Sequence, residues 1–147
     1  KAAAMYSMEH YEVSNFAMPG MRARHNSGYW RDEPYVGLGP GAHSYDGANV
    51  RSSNPSDLKA YIMSDGMPER EVEVLDEDCL YEEKVLKGLR TIDGLDLSTL
   101  KTKYREYAMK MAEPHIKGGR MVQCGDVLRL TEDGIFVSND IMSDMML

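Results

Sequence analysis

A chain of 147 residues, 42% hydrophobic and 28% charged, suits a soluble globular protein and excludes a disordered one. Its formal net charge of −7 opposes non-specific attraction to nucleic acid or to an anionic membrane. No apolar run approaches the roughly 20 residues of a membrane span, and no signal peptide is visible. The two cysteines, Cys79 and Cys124, are far apart and form no CxxC or Cys/His metal spacing. They read as unbridged thiols of a reducing compartment, and the expected location is cytoplasmic. The chain opens at Lys1 directly into structured-looking sequence, so it reads as a piece of something longer.

Residues 1 to 9, KAAAMYSME, are good helix formers and predict the end of a helix. Tyr11 to Phe16 reads as a short strand, closed by a Pro19-Gly20 turn. A polar loop follows from Arg22 to Glu33 and carries His25, Asn26, Tyr29 and Trp30. Tyr35 to Leu38 is a second short apolar run, which enters GLGPGAHSY. Gly37, Gly39 and Gly41 let this strand end approach a ligand or another backbone closely. As a phosphate cradle the run lacks GxGxxG spacing, and Asp46-Gly47 makes a turn where a helix would have to start. This order suggests the edge of an α/β layer.

Asn54-Pro55-Ser56 marks the start of a helix with Leu58, Tyr61 and Ile62 on one face, ending near Gly66. The acidic stretch from Glu69 to Asp78 reads as a solvated connector between two folding units. From Asp78 onward the pattern is a small helical domain with a hairpin. Cys79 to Arg90 puts Tyr81, Val85 and Leu89 on one stripe. Gly94 breaks that helix, and Asp96 caps the next, which spaces Leu97, Leu100, Tyr104, Ala108 and Met111 at three and four. Pro114 kinks or restarts it, and Gly118-Gly119 ends it. Arg120–Cys124 and Val127–Leu130 flank Gly125-Asp126, a two-residue hairpin turn. Thr131 caps a last helix with Val137, Ile141 and Met145 inside. Three helices, a hairpin and a helix come close to a winged-helix arrangement. Its helix with Lys101, Lys103, Arg105 and Lys110 is only mildly basic, so nucleic-acid binding is not expected.

His25 is the sharpest chemical candidate. An imidazole can ligate haem iron or exchange a proton near neutral pH, and Tyr29 and Trp30 offer flat faces to a planar ligand. The alternative is that His25 bonds the loop backbone while the two aromatics plug a core. His43 follows the glycine run and faces the same choice. Glu12 is a lone carboxylate and defines no mechanism. GAHS sets Ser44 beside His43 without a nucleophile elbow, so a hydrolase reading is poor.

Five segments share a pattern. HNSGYW fits HNxxYW, YEVSNFAMPG fits YEISNFAxPG, and YVGLGPGAHSY fits GLGxGAHS; GLRTIDGLDL and LRLTEDGIFVSNDI agree as well. Together they resemble the C-terminal part of the oxygen-independent coproporphyrinogen III oxidase-like radical SAM family, in its haem-chaperone (HemW-type) branch. The resemblance runs from Tyr6 to Met146. It implies a parent whose N-terminal partial βα barrel holds a 4Fe–4S cluster on CxxxCxxC and binds S-adenosylmethionine. This chain has no such motif, and two distant cysteines cannot supply three thiolates, so cluster and S-adenosylmethionine are expected in the intact parent only.

The HNxxYW histidine is implicated in haem binding, which carries over to His25 as an iron ligand, with Asn26, Tyr29 and Trp30 beside it. The GLGxGAHS strand end adjoins S-adenosylmethionine in the oxidases, which places Gly39, Gly41, Ala42 and His43 near that cofactor. VSNFA stands where the oxidases carry an IGMDHFA-like sequence, which favours chaperone over oxidase. The expected fold is α+β. Residues 1–50 form the last strands of the partial barrel, 51–77 a linker helix and acidic connector, and 78–147 a winged-helix-like domain. The expected function is haem binding and delivery, with haem or a porphyrin and a haem-receiving protein as partners and no catalytic residue. A piece of an oxygen-independent coproporphyrinogen oxidase and a non-enzymatic winged-helix interaction module are the alternatives. Strands that lose their barrel neighbours would leave unpaired edges, so self-association is also expected.

Overall fold

A computed structural model of the chain describes residues 7–65 and 67–147. In chain order the elements are β1 (Glu9–Glu12), β2 (Asn15–Ala17), α1 (Arg24–Trp30), β3 (His43–Tyr45), β4 (Val50–Ser53), α2 (Leu58–Met63) and β5 (Glu71–Val74). Then come α3 (Glu77–Leu89), β6 (Leu95–Asp96), a 3₁₀ turn at Leu97–Thr99, α4 (Thr102–Lys117), β7 (Met121–Cys124), β8 (Val127–Leu130), α5 (Glu132–Phe136) and α6 (Ser138–Asp144). Two compact units divide them: one holds the residues up to Ser27 together with Tyr81–Leu147, the other Gly28–Leu80. The fold is α+β. Every strand pairing among the described residues is antiparallel, in sheets of two, three and three strands, and none closes into a barrel.

The first unit opens on a hairpin. A single strand was expected over 11–16, but β1 and β2 pair across a turn at Val13-Ser14. The helix expected over 1–9 lies largely outside the described residues; within them, Glu9 already belongs to β1. The turn forms because the Glu12 carboxylate accepts from Ser14 N at 3.2 Å and from the Asn15 side-chain amide, closing the chain on itself as Ser and Asn favour. Glu12 is buried, with Arg90 Nε 3.8 Å away. The hairpin docks on the end of α3: Val13 N donates to Arg90 O at 2.9 Å, and Ile92 N to Tyr11 O at 3.1 Å.

The α3 stripe lies where its spacing predicts, with Tyr81, Val85 and Leu89 buried. It packs with Leu97, Tyr104, Leu128 and Ile141 in one core. Asp96 caps the 3₁₀ turn rather than α4, which begins at Thr102 and runs through Pro114 to Lys117. The inward stripe of α4 therefore reads Tyr104, Ala108, Ala112 and His115, and Met111 is half-buried. His115 Nε2 lies 3.1 Å from Asp144 Oδ2 and joins the end of α4 to the end of α6. β7 and β8 make the expected hairpin, and a third strand, β6, pairs Leu95 with Leu128. One last helix was expected; the chain instead breaks at Val137, which leaves helical geometry and bonds Gly134 O at 3.1 Å.

Asp96 also supports a test. Its carboxylate accepts from Ser98 Oγ at 2.6 Å and Ser98 N at 2.9 Å, which holds its pKa below the ordinary value of 3.8. A lowered folded pKa means the folded chain binds that proton less readily, so this stability is present at neutral pH and lost as pH falls below 3.8. Asp96→Ala is expected to cost about 1 kcal/mol at neutral pH and to flatten the acid limb of unfolding, measured by urea midpoints between about pH 3 and 7.

In the second unit, β3, β4 and β5 form a small antiparallel sheet. Asp46 Oδ1 accepts from Ala48, Asn49 and Val50 N and so shapes the β3–β4 turn. The run expected as a strand over 35–38 keeps only one bridge, Tyr35 with Tyr45, and Gly39 at φ +108° turns the chain just after it. The acidic stretch is not merely a connector: EVEV alternates and pairs as the edge strand β5, and Glu77-Asp78 start α3. The α2 cap is Asp57, whose side chain accepts from Ala60 N at 2.9 Å. On the face that Leu58, Tyr61 and Ile62 share, Leu58 and Ile62 are exposed and Tyr61 is half-buried.

Candidate functional site

HNSGYW is helical. The stretch expected as a polar loop contains α1, only seven residues with a glycine among them, which explains why its pattern reads as loop. Ser27 N donates to Ala23 O at 2.9 Å, and the helix closes as Arg31 N and Glu33 N both donate to Gly28 O. Asp32 at φ +57° carries the chain away. Helical spacing puts His25 and Tyr29 on one face and Asn26 and Trp30 on another.

These faces differ. His25 and Tyr29 are both exposed, and the Tyr29 ring stands edge-on to Tyr35 with centroids 4.8 Å apart. Asn26 is half-buried, with its side-chain amide 3.5 Å from the Tyr11 hydroxyl, and Trp30 is half-buried. Gly28 has the Glu33 carboxylate against it, so a Cβ there would meet Glu33 Oε2 at 3.0 Å. Of the four residues expected together, the helix thus presents His25 and Tyr29 outward as a pair.

Gly39, Gly41, Ala42 and His43 fall in one loop and the strand it enters. That loop's amides are already spent on neighbouring protein groups. Gly37 N donates to Ser44 Oγ, Gly39 N to Tyr61 Oη, Gly41 N to Pro55 O and Ala42 N to Gly39 O, at 3.0–3.3 Å. Buried Asn54 holds it from beneath, donating from Nδ2 to Gly39 O at 2.9 Å and from N to Ala42 O at 2.9 Å. Gly37 cannot be replaced freely, because a Cβ there would lie 2.1 Å from His43 O. His43 is exposed on β3, in register with Ser53. The loop offers shape and a side chain, not a nest of unspent donors.

Sequence reasoning missed the supports of both segments. Asn54 and Tyr61 hold the glycine loop, and Tyr11 and Arg22 flank α1. An asparagine before proline is a faint signal for the first; none marks the second. A cleft of about 290 Å³ beside the β1–β2 hairpin is lined by His10, Glu12, Arg90, Arg129, Leu130 and Ile135 among others, and none of the predicted site residues reaches it. Among the described residues no three His, Cys, Asp or Glu side chains gather as a metal site. Cys79 and Cys124 are exposed thiols. On α4, Arg105 pairs with Asp126 at 2.6 Å and Lys103 lies over the Tyr104 ring. Among the described residues no helix is long and apolar enough to cross a membrane.

No family model matches the chain. It is 36% identical over 102 residues to a protein named heme chaperone HemW from Bacillus subtilis (strain 168), covering 67% of this chain and 27% of that protein. It is 34% identical over 140 residues to heme chaperone HemW of Mycobacterium tuberculosis (strain CDC 1551 / Oshkosh), covering 92% and 34%. The chain therefore spans about a third or less of the length of these relatives. The solved structure of coproporphyrinogen III oxidase (HemN) from Escherichia coli, a radical SAM enzyme, superposes with a TM-score of 0.68. That match covers 98% of this chain and 38% of the other at 18% identity, which establishes a shared fold. Along nearly its whole length the chain is homologous to proteins named heme chaperone HemW, and corresponds to their C-terminal part.

Proposed function

We propose that this chain carries the haem-holding segment of a haem chaperone, with His25 as the iron ligand. The observation that carries the reading is the outward pair on α1: an exposed imidazole with an exposed phenol ring one turn on. A neutral imidazole nitrogen donates a lone pair to ferric or ferrous iron, and the Tyr29 ring offers a flat apolar face to the macrocycle. Tyr35 braces that ring from its edge, which lowers the entropy lost when a ligand settles on it. Asn26 and Trp30 support the helix from its other face. The relatives' name supports haem as the cargo, and the exposed imidazole supports His25 as the donor.

In this reading the 4Fe–4S cluster and S-adenosylmethionine belong to the part of the relatives outside the matched third. Two cysteines do not fit a three-thiolate cluster site. Gly39, Gly41, Ala42 and His43 would approach S-adenosylmethionine as a preformed loop, through His43 and the loop surface. Residues 1–50 would correspond to the end of the barrel and 78–147 to a winged-helix-like domain. Haem transfer to a receiving protein and a cytoplasmic location complete the proposal.

Haem titration of the chain tests it. A shifted Soret band should form at one equivalent, and His25→Ala should weaken binding at least about tenfold, or about 1.4 kcal/mol. Tyr29→Ala should weaken it by a smaller factor. An identical Soret position and affinity in His25→Ala would overturn the ligand role.

A further inference from the structure

A side chain that ties the chain just before His25 to the rest of the first unit is Arg22, two residues before α1 begins. Its guanidinium meets the Glu9 carboxylate as a fork, Nε to Oε1 at 3.1 Å and Nη2 to Oε2 at 2.9 Å. Nη1 lies 3.5 Å from Asp93 Oδ1, in the loop after α3. The same group sits over the Tyr11 ring, 5.6 Å from its centroid. Tyr11 is buried, and its hydroxyl is the partner of the Asn26 amide, one residue from His25. One guanidinium thus joins β1, the α3–β6 loop and the ring against which α1 rests.

We infer that Arg22 is a positioning residue for His25, fixing where α1 starts and which way its imidazole face is presented. A helix of seven residues does not hold itself in water, so its direction is set by what grips its ends. At 3.5 Å the Asn26–Tyr11 contact is long and weak, and the ion pair and the ring stack of Arg22 grip more strongly than it does. The pair is about 70% shielded on both sides, with side-chain exposures of 27% and 30%, so water screens it less than an ordinary surface bridge. Removing the guanidinium would leave Glu9 and Asp93 as two carboxylates facing its place with no cation between them. Lysine cannot replace it fully, since an ammonium neither forks onto a carboxylate nor stacks on a ring.

The functional meaning rests on the proposed haem role of His25; the geometry does not. The test is a haem titration of the chain carrying Arg22→Gln, Arg22→Lys, His25→Ala or both Arg22→Gln and His25→Ala. Amide hydrogen exchange over residues 24–30 is followed alongside without haem. Arg22→Gln should weaken haem about five- to tenfold, Arg22→Lys should fall between it and the parent, and exchange over α1 should accelerate with little change in thermal midpoint. In the His25→Ala background, Arg22→Gln should have almost no further effect on haem, because a positioning residue acts through the group it positions. If His25→Ala loses haem while Arg22→Gln keeps the parent's affinity and Soret band, the inference fails and the haem reading stands. If His25→Ala loses nothing, the haem reading fails, and exchange over 24–30 alone decides: faster in Arg22→Gln sustains the positioning role, unchanged refutes it.

Discussion

Gly134→Ala should destabilise the chain by about 3 kcal/mol or more, despite adding a better helix former to a helix. Propensity argues the other way, since alanine in place of glycine favours a helix interior by about 1 kcal/mol. The contact decides the sign. A Cβ on Gly134 would lie 1.9 Å from Arg120 O, well inside any tolerable approach. That carbonyl cannot step aside: it accepts from Thr131 N at 3.0 Å, and the next residue, Met121, pairs with Leu130 at the base of the hairpin. Thr131 in turn caps α5 by accepting from Gly134 N at 3.1 Å. Relief of the clash must therefore shift α5, its cap and the β7–β8 ladder together. Urea unfolding should show a large fall in midpoint with an unchanged slope; a midpoint equal to or above the parent's would show that helix propensity wins.

What could be read in the sequence follows how local its cause is. The α3 stripe and the Gly125-Asp126 hairpin are set by spacing and turn chemistry within a few residues, and both stand as predicted. β5 was hidden because four alternating residues in an acidic run become a strand only when β4 supplies a partner. α1 was hidden for the same kind of reason: nothing in HNSGYW insists on a helix, and grips from Glu9, Tyr11 and Asp93 lie far along the chain. The hairpin at Val13-Ser14 needed a buried Glu12, which reads from sequence as an ordinary strand glutamate. His25 itself was reached through resemblance. Arg22, which holds the helix that carries it, has no motif and shows only in three dimensions.

Tyr81→Ala should remove about 3–5 kcal/mol from the first unit, and Tyr81→Phe only about 1–2 kcal/mol. The ring is buried at 2% exposure, stacks on Tyr104 with centroids 4.9 Å apart and meets Tyr107 edge-on at 6.0 Å. Alanine would leave a cavity in the middle of that cluster, which cannot close because α4 is held along its whole inner stripe. Phenylalanine keeps the ring and loses one bond, the hydroxyl donating to Met145 O at 2.8 Å. The same phenol bears on the alkaline limit. Burial, with the neighbouring Tyr107 and Glu82, pushes the Tyr81 phenol well above its ordinary 10.0. The unfolded chain therefore ionises first, and as pH rises through 10.0 the unfolded state is lowered in free energy while the folded state is not. Stability from this group is intact below that pH and lost above it. The parent should lose urea midpoint between about pH 9 and 11 more steeply than Tyr81→Phe, whose unfolded state has no such proton to release. Parallel limbs in the two proteins would show that the phenol is not the group that yields.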